Sequence, residues 1–330
     1  MKQPFLTVLT TPIVSGNRRA YRGMRRMLRP LVKPGVPLPP VSPYPGHFAV
    51  TRSVVEGLRR IGADFNFNPQ SIGEVARVVY APANEALRQA AAWKREGRID
   101  CLVAGPVNAL APTEEAGVLT LPEIDGLIVA SGWVRELYRE SAPAVFGKCR
   151  PCPCGVDADV WKPAIGGSRD HAVVFWKSGP ESWCADVEAI VADHGWRPVR
   201  VRYGSYDTPQ YRAALDHASV AVFLSAFETQ GLALAEAWAM NVPTLVWNPC
   251  ERAEWRGWSF TAASSAPYLS AATGVFWRSL DDLAAALVQV RRDAGAFRPR
   301  EWVLAHMTDA VCARQLLTVV EDVARMAVLQ

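Results

Sequence analysis

The sequence predicts an α/β protein built of two doubly wound domains, and three observations lead there. Its 330 residues and 36.1 kDa exceed what one ordinary hydrophobic core holds. Short apolar runs alternate with amphipathic stretches, the βα pattern that builds a parallel sheet with helices on both faces. That alternation stops in APAVFGKCRPCPCGVDADVWKPAIGG, residues 143–168, where Pro and Gly concentrate and a domain boundary belongs. We assign 1–160 to an N-terminal domain and 161–311 to a C-terminal one.

Each element has its own signal. Phe5 to Leu9 reads as a strand, and HFAVTRSVVEGLRRIG as a helix closed by Gly62, where a left-handed cap is cheap. ARVVY, DCLVAG and GLIVAS read as strands; NEALRQAAAWKREG and GWVRELYRES read as helices. Past the boundary, HAVVFW, RPVRVRY, VAVFLSA and PTLVW are strands that alternate with the helices SWCADVEAIVADHG, TPQYRAALDHA and LALAEAWAM. From about Pro299 the chain reads as two helical segments, the last strongly amphipathic.

Composition narrows the function. Hydrophobic residues make up 50% and charged ones 21%, as in folded, water-soluble chains. Thirty-six Lys and Arg against 32 Asp and Glu leave +4, too mild an excess to imply nucleic acid. The opening MKQPFLTVLTTPIVSG lacks signal-peptide organisation, and no apolar run reaches membrane-spanning length, so we expect a cytoplasmic protein. Seven cysteines, an odd number spread from Cys101 to Cys312, read as reduced thiols. Cys149, Cys152 and Cys154 cluster without a fourth ligand nearby, so KCRPCPCGVD reads as a tight connector and no metal is expected.

The most informative stretch is VAVFLSAFETQGLALAEAWAMNVPTLVW, a strand, loop, helix, turn and strand. In open α/β sheets ligands sit beyond the carboxyl ends of strands, where helix N-termini present backbone N–H groups. Glu228, Thr229, Gln230 and Gly231 lie there. Glu236 follows about one turn into the helix, and its side chain tilts back toward the same crevice. Carboxylates accept several hydrogen bonds and donate none, which suits the vicinal hydroxyls of a sugar or ribose. The alternative is a solvated loop residue and a solvated helix position, although the LALA and AWAM flanks of Glu236 demand a partner for a charge there.

The spacing of Glu228 and Glu236 inside ETQGLALAEAWAMNVPTLVW resembles the E-x7-E signature of retaining GT-B glycosyltransferases of glycosyltransferase family 4. IVASGWVRELY followed by PCGVDADVWKP resembles the stretch that joins that family's two Rossmann-like domains. The resemblance implies a GT-B fold with two such domains facing a central cleft, 1–160 the acceptor domain and 161–311 the nucleotide-sugar donor domain, with the C-terminal helix 312–330 crossing back to the first. It implies that Glu228 faces the donor sugar, that Glu236 binds the nucleotide ribose, and that the amides of Gln230, Gly231 and Leu232 meet sugar and phosphate. It also implies a cation after the first strand of the second domain. That cation is Lys177 here; the Arg that usually accompanies it is missing, leaving Arg52, Arg200 and Arg202 as candidates. Tyr203 or Tyr206, with Gly204, lies where the family holds the nucleotide base; both tyrosines capping the core is an equal alternative.

In the first half, Gly46 and His47 precede a helix at the position of the loop that faces donor phosphates in the family, though histidines also cap helices structurally. Many members carry a histidine after the strand DCLVAG; here Asn108 is the best remaining polar group, and a plain turn asparagine is the alternative. Basic residues from Arg18 to Lys33 read either as a peripheral membrane or anionic-acceptor patch or as a solvated face. The implied reaction takes a nucleotide-sugar donor and an acceptor that is a glycan, a lipid-linked sugar or a small molecule. Lys177 and the helix dipole neutralise the leaving diphosphate, so no metal or other cofactor is expected. A sugar-nucleotide-binding protein without transferase activity and a GT-B nucleotide-sugar epimerase are the alternatives. No G-x-G-x-x-G follows an early strand, which disfavours a Rossmann oxidoreductase.

Overall fold

The computed structural model describes residues 3–14, 42–45, 47–106, 110–164, 166 and 169–329. The expected sites at Gly46, Asn108 and the basic run Arg18–Lys33 therefore lie outside the described residues. The chain divides into two compact units. The first comprises Met1–Ile128, Gly147–Arg150 and Leu316–Gln330; the second comprises Val129–Phe146 and Pro151–Gln315.

The first unit is organised on strands β1 (Leu6–Val8), β2 (Phe65–Phe67), β3 (Val78–Ala81), β4 (Cys101–Ala104), β5 (Gly126–Val129) and β6 (Cys149–Pro151), in the order β2-β1-β3-β4-β5-β6. The pairings β1–β2, β1–β3, β3–β4 and β4–β5 are parallel. Strands β1, β3, β4 and β5 are buried throughout, which is why they read as continuous apolar runs rather than as alternating ones. Helix α1 (Phe48–Arg60) buries Val50, Val54, Val55 and Leu58 at helical spacing and ends before Gly62, whose φ of +67° supplies the expected left-handed turn. Helix α2 (Asn84–Arg95) buries Ala86, Leu87, Ala90 and Ala91. The short turn α3 (Glu114–Gly117), the full helix α4 (Gly132–Ser141) and the short turn α5 (Pro143–Phe146) come next in chain order.

Strand β6 was not expected, because residues 143–168 read as irregular. It forms through backbone pairing, with the Leu127 N–H on the Lys148 carbonyl (2.9 Å) and the Cys152 N–H on the Val129 carbonyl (2.9 Å), and that pairing leaves no apolar periodicity to read.

The second unit holds a parallel five-stranded sheet ordered β13-β10-β9-β7-β8, from β7 (His171–Trp176), β8 (Arg197–Arg202), β9 (Ala218–Leu224), β10 (Thr244–Trp247) and β13 (Gly274–Trp277). The period of two sorts side chains onto two cores. Val173, Phe175, Ala221 and Phe223 face one core; Ala172, Val174, Val220, Val222 and Leu224 face the other. Helices α6 (Glu181–Asp193), α7 (Thr208–Asp216), α8 (Leu232–Ala239), α9 (Leu280–Arg292), α10 (Pro299–His306) and α11 (Asp309–Val328) complete the chain. Helix α7 opens on a capping box in which Asp207 and Gln210 satisfy each other's backbone N–H groups. The second unit also carries a separate antiparallel hairpin, β11 (Arg252–Trp255) and β12 (Trp258–Thr261), which the sequence did not predict. Among the described residues no helix is long and apolar enough to cross a membrane.

Candidate functional site

The carboxyl ends of β7 and β9 lie side by side, because the N–H groups of Lys177 and Ser178 both reach the Leu224 carbonyl, at 2.9 and 3.0 Å. That pairing brings Lys177 to the loop 225–231. The Lys177 Nζ donates to Oε1 of Glu228 at 2.7 Å and lies 4.9 Å from the centre of the Tyr203 ring. Three expected site residues thus meet directly, from three strand ends.

Glu228 is held on every side. Its carboxylate also accepts from the Ser225 hydroxyl at 2.8 Å, its N–H donates to the Ser264 carbonyl at 3.2 Å, and its carbonyl accepts from Trp133 Nε1 at 2.9 Å. Neither Ser225 nor Trp133 was an expected site residue, although Trp133 sits in the segment IVASGWVRELY. Lysine has three donors, so a Lys177 bonded to Glu228 keeps capacity for a second anionic acceptor.

Gln230 turns away from this point. Its side chain is buried and clamps the backbone of Cys154 as a strand would, Oε1 accepting from the Cys154 N–H (2.8 Å) and Nε2 donating to its carbonyl (2.7 Å). What Gln230 contributes to the site is therefore the position of the main chain. Gly231 follows with φ +85°, and a Cβ there would come within 2.7 Å of Leu234 Cδ1. Glycine is favoured by the backbone, and a Cβ would oblige the Leu234 side chain to turn aside. It starts α8 without any side-chain cap, so the first N–H groups of that helix are not claimed by a capping side chain. The opposite end is neutralised: Arg169 donates to the carbonyls of Met240 and Asn241, and Arg300 to that of Ala239, at 2.9, 2.9 and 2.6 Å. Cations at the C-terminus leave the positive N-terminal end as the one seeking charge.

Glu236 is half-buried in α8, as its apolar flanks implied. Its charge adds to burial in raising the phenol pKa of Tyr206 and Tyr211, so both tyrosines stay neutral donors beside it. Tyr211 donates to the Ala233 carbonyl at 2.9 Å and braces the first turn of α8. Tyr203 and Tyr206 both pack edge-on against Phe175, at 6.3 and 5.9 Å. Tyr206 is half-buried, whereas Tyr203 is 56% exposed and Gly204 beside it turns at φ +79°. Thr229 and Leu232 are half-buried on the loop and helix start.

Of the candidates for a second cation, Arg200 is bound to Glu181 (2.9 Å) and Glu188 (2.6 Å). Arg202 lies over the Trp176 ring at 5.0 Å. His47, in the first unit, is exposed at the start of α1 and makes no side-chain cap. Among the described residues, no group of three or more His, Cys, Asp or Glu side chains is arranged to hold a metal ion.

With this geometry in view, comparison with solved structures identifies the architecture. The fold is that of GT-B glycosyltransferases. The chain is similar to the Anabaena protein HepE in complex with UDP and glucose, with a TM-score of 0.57 at 12% identity over 97% of this chain and 100% of that one. It is similar to sucrose-phosphate synthase from Thermosynechococcus elongatus, TM-score 0.54 at 15% identity over 98% and 100%. The catalytic domain of Arabidopsis thaliana starch synthase IV, bound to ADP and acarbose, gives 0.54 at 10% over 98% and 100%. No protein-family model and no curated protein sequence matches the chain.

Proposed function

We propose that this protein transfers a glycosyl group from a nucleoside-diphosphate sugar to an acceptor hydroxyl or amine, with retention of anomeric configuration. The observation that carries the reading is the Lys177–Glu228 pair, 2.7 Å apart, next to the uncapped start of α8. In this reading Glu228 faces the donor sugar and Glu236 takes the ribose hydroxyls, while Tyr203 lines the base. The amides at Gly231 and Leu232 and the ammonium of Lys177 take the charge that grows on the departing diphosphate, a preorganised arrangement that stabilises the transition state more than the ground state. This division of labour needs no metal. His47, Gly46 and Asn108 are the contributions proposed from the first unit, and Arg18–Lys33 a contact with an anionic acceptor or membrane surface.

The test is thermal unfolding with UDP, ADP and GDP, followed by transfer assays with the sugar nucleotide of whichever base binds. A ligand at a hundred times its Kd stabilises the native state by about 2.7 kcal/mol, readily seen as a raised midpoint. Glu228→Gln and Glu236→Ala are expected to lower transfer strongly while remaining folded; wild-type turnover in either would sink the assignment. The engagement of Arg200 by two glutamates favours a second reading, a sugar-nucleotide-binding protein, which binding without transfer or donor hydrolysis would support.

A further inference from the structure

Glu228 is anchored through both its main chain and its carboxylate, and every anchor on the carboxylate falls on one oxygen. The main chain is fixed by the Ser264 carbonyl on one side and Trp133 Nε1 on the other. On the side chain, the Lys177 ammonium and the Ser225 hydroxyl both donate to Oε1, at 2.7 and 2.8 Å. Among the described residues no donor reaches Oε2, and Oε2 is not a buried atom. Ser225 follows the last residue of β9 and is 1% exposed, so its hydroxyl is shielded from water and must find its partner within the loop. Two acceptors lie in reach, Glu228 Oε1 at 2.8 Å and the Phe227 carbonyl at 3.0 Å. A hydroxyl has one proton to give, and the carboxylate is the stronger acceptor.

We propose that Ser225 is a positioning residue that sets sugar specificity: with Lys177 it occupies Oε1 and leaves Oε2 as the one acceptor atom offered to the donor sugar. This rests on the transferase reading above. Each carboxylate oxygen has two lone-pair sites. Two donors fill those of Oε1, so Glu228 does not chelate a pair of hydroxyls through both oxygens; it meets the sugar through Oε2 alone. The last torsion of a glutamate is broad and two-fold, so a carboxylate held by the ammonium alone would turn, and either oxygen would face the sugar. The second donor removes that freedom and fixes the plane before the donor arrives. A single fixed acceptor rejects a sugar whose hydroxyl points elsewhere, because acceptor and hydroxyl are then both left unpaired. Ser225 thereby governs the choice between epimers, while the hold on the diphosphate stays with Lys177 and the start of α8.

The experiment measures, by calorimetry on the full chain, the affinities of UDP, ADP and GDP, then of the glucose, galactose and mannose forms of whichever nucleoside diphosphate binds. The wild type is expected to prefer one of the three sugars by about tenfold or more, the worth of one hydrogen bond to a charged group. Ser225→Ala should shrink that preference by about threefold or more. Ser225→Thr, which keeps the hydroxyl, should restore it. Affinity for the nucleoside diphosphate itself should stay within about threefold in both variants, since Lys177 keeps its contact with Oε1, and this also reports that they are folded. A wild type that binds the diphosphate but holds the three sugar forms equally, or an S225A that keeps the full preference, overturns the proposal alone. So does an S225A that loses diphosphate and sugar-nucleotide affinity in the same proportion, which would make Ser225 a support of the whole loop. A wild type that binds no nucleoside diphosphate defeats the transferase reading and this inference with it.

Discussion

The Lys177 ammonium stands 2.7 Å from Glu228 although 51 positions separate them in sequence. Both side chains are partly buried, 28% and 18% exposed, so the pair itself adds about 1 kcal/mol or less to stability. Its worth lies in aiming the ammonium. Lys177→Met is expected to leave the unfolding midpoint within a few degrees of wild type and to lower the transfer rate by about 10²–10³-fold, the usual loss when one preorganised electrostatic donor is removed. Steady-state kinetics with the donor identified by thermal shift checks this.

Gln230 is a structural clamp, and its removal should cost stability before it costs chemistry. Gln230→Ala removes both hydrogen bonds to the buried Cys154 backbone, and each such loss at a buried polar group costs about 1–3 kcal/mol. A loss of about 3 kcal/mol in urea unfolding is expected. Gln230→Glu fills the same volume but should lose at least as much, because it buries a carboxylate whose second oxygen faces the Cys154 carbonyl with no proton to donate. A smaller loss in Gln230→Glu than in Gln230→Ala would assign the clamp to packing rather than hydrogen bonding.

Periodicity made most of the fold legible in the sequence. Strands such as HAVVFW and VAVFLSA are buried on both faces and lie between amphipathic helices, so their runs are unbroken and their order βα is readable. The loop from Glu228 to Gly231 was readable because a carboxylate and a glycine stand where a strand hands over to a helix. Lys177 entered through the family resemblance, which implies a cation after the first strand of the second domain. Not read were the short strands β2 and β13, the helix α9, and the elements defined by pairing alone: β6, and the hairpin, whose Trp and Arg residues look like scattered surface positions until cross-strand partners align them. The role of Gln230 was also hidden, since its partner Cys154 is 76 positions away and a glutamine in a binding loop gives no sign of facing inward.

Thiol reactivity tests the burial of both units together. Burial pushes the thiols of Cys101 and Cys152 up to about 12 and that of Cys184 to about 11, and raises that of Cys312 as well. The thiolate is the reactive form, so at pH 8 a thiol of pKa 12 is ionised in only about one molecule in 10⁴. Cys149 and Cys154 are buried, and Cys250 alone is half-exposed. Ellman titration of the native protein at pH 8 is expected to give one fast equivalent, abolished in Cys250→Ser, with the other six appearing only in denaturant. A second fast thiol in native C250S would refute the packing around whichever cysteine reacts.

Gly231 and Gly62 separate backbone strain from loop geometry. Both have positive φ, +85° and +67°, so a Cβ at either costs about 1–2 kcal/mol. At Gly62 nothing lies within 4 Å of that Cβ, whereas at Gly231 Leu234 Cδ1 would stand 2.7 Å away and Glu228 Cβ 3.7 Å away. Gly62→Ala should therefore lose only the backbone term. Gly231→Ala should lose somewhat more, because the buried Leu234 side chain must turn aside to admit the Cβ. The added strain falls on the Gly231 and Leu232 amides at the start of α8 and, 3.7 Å away, beside Glu228 Cβ. Nucleoside diphosphate affinity is expected to fall about tenfold or more in G231A, the loss of one well-made contact, and to stay at the wild-type value in G62A. Equal affinity in the two variants, at matched stability, would mean that the α8 start does not hold the phosphates.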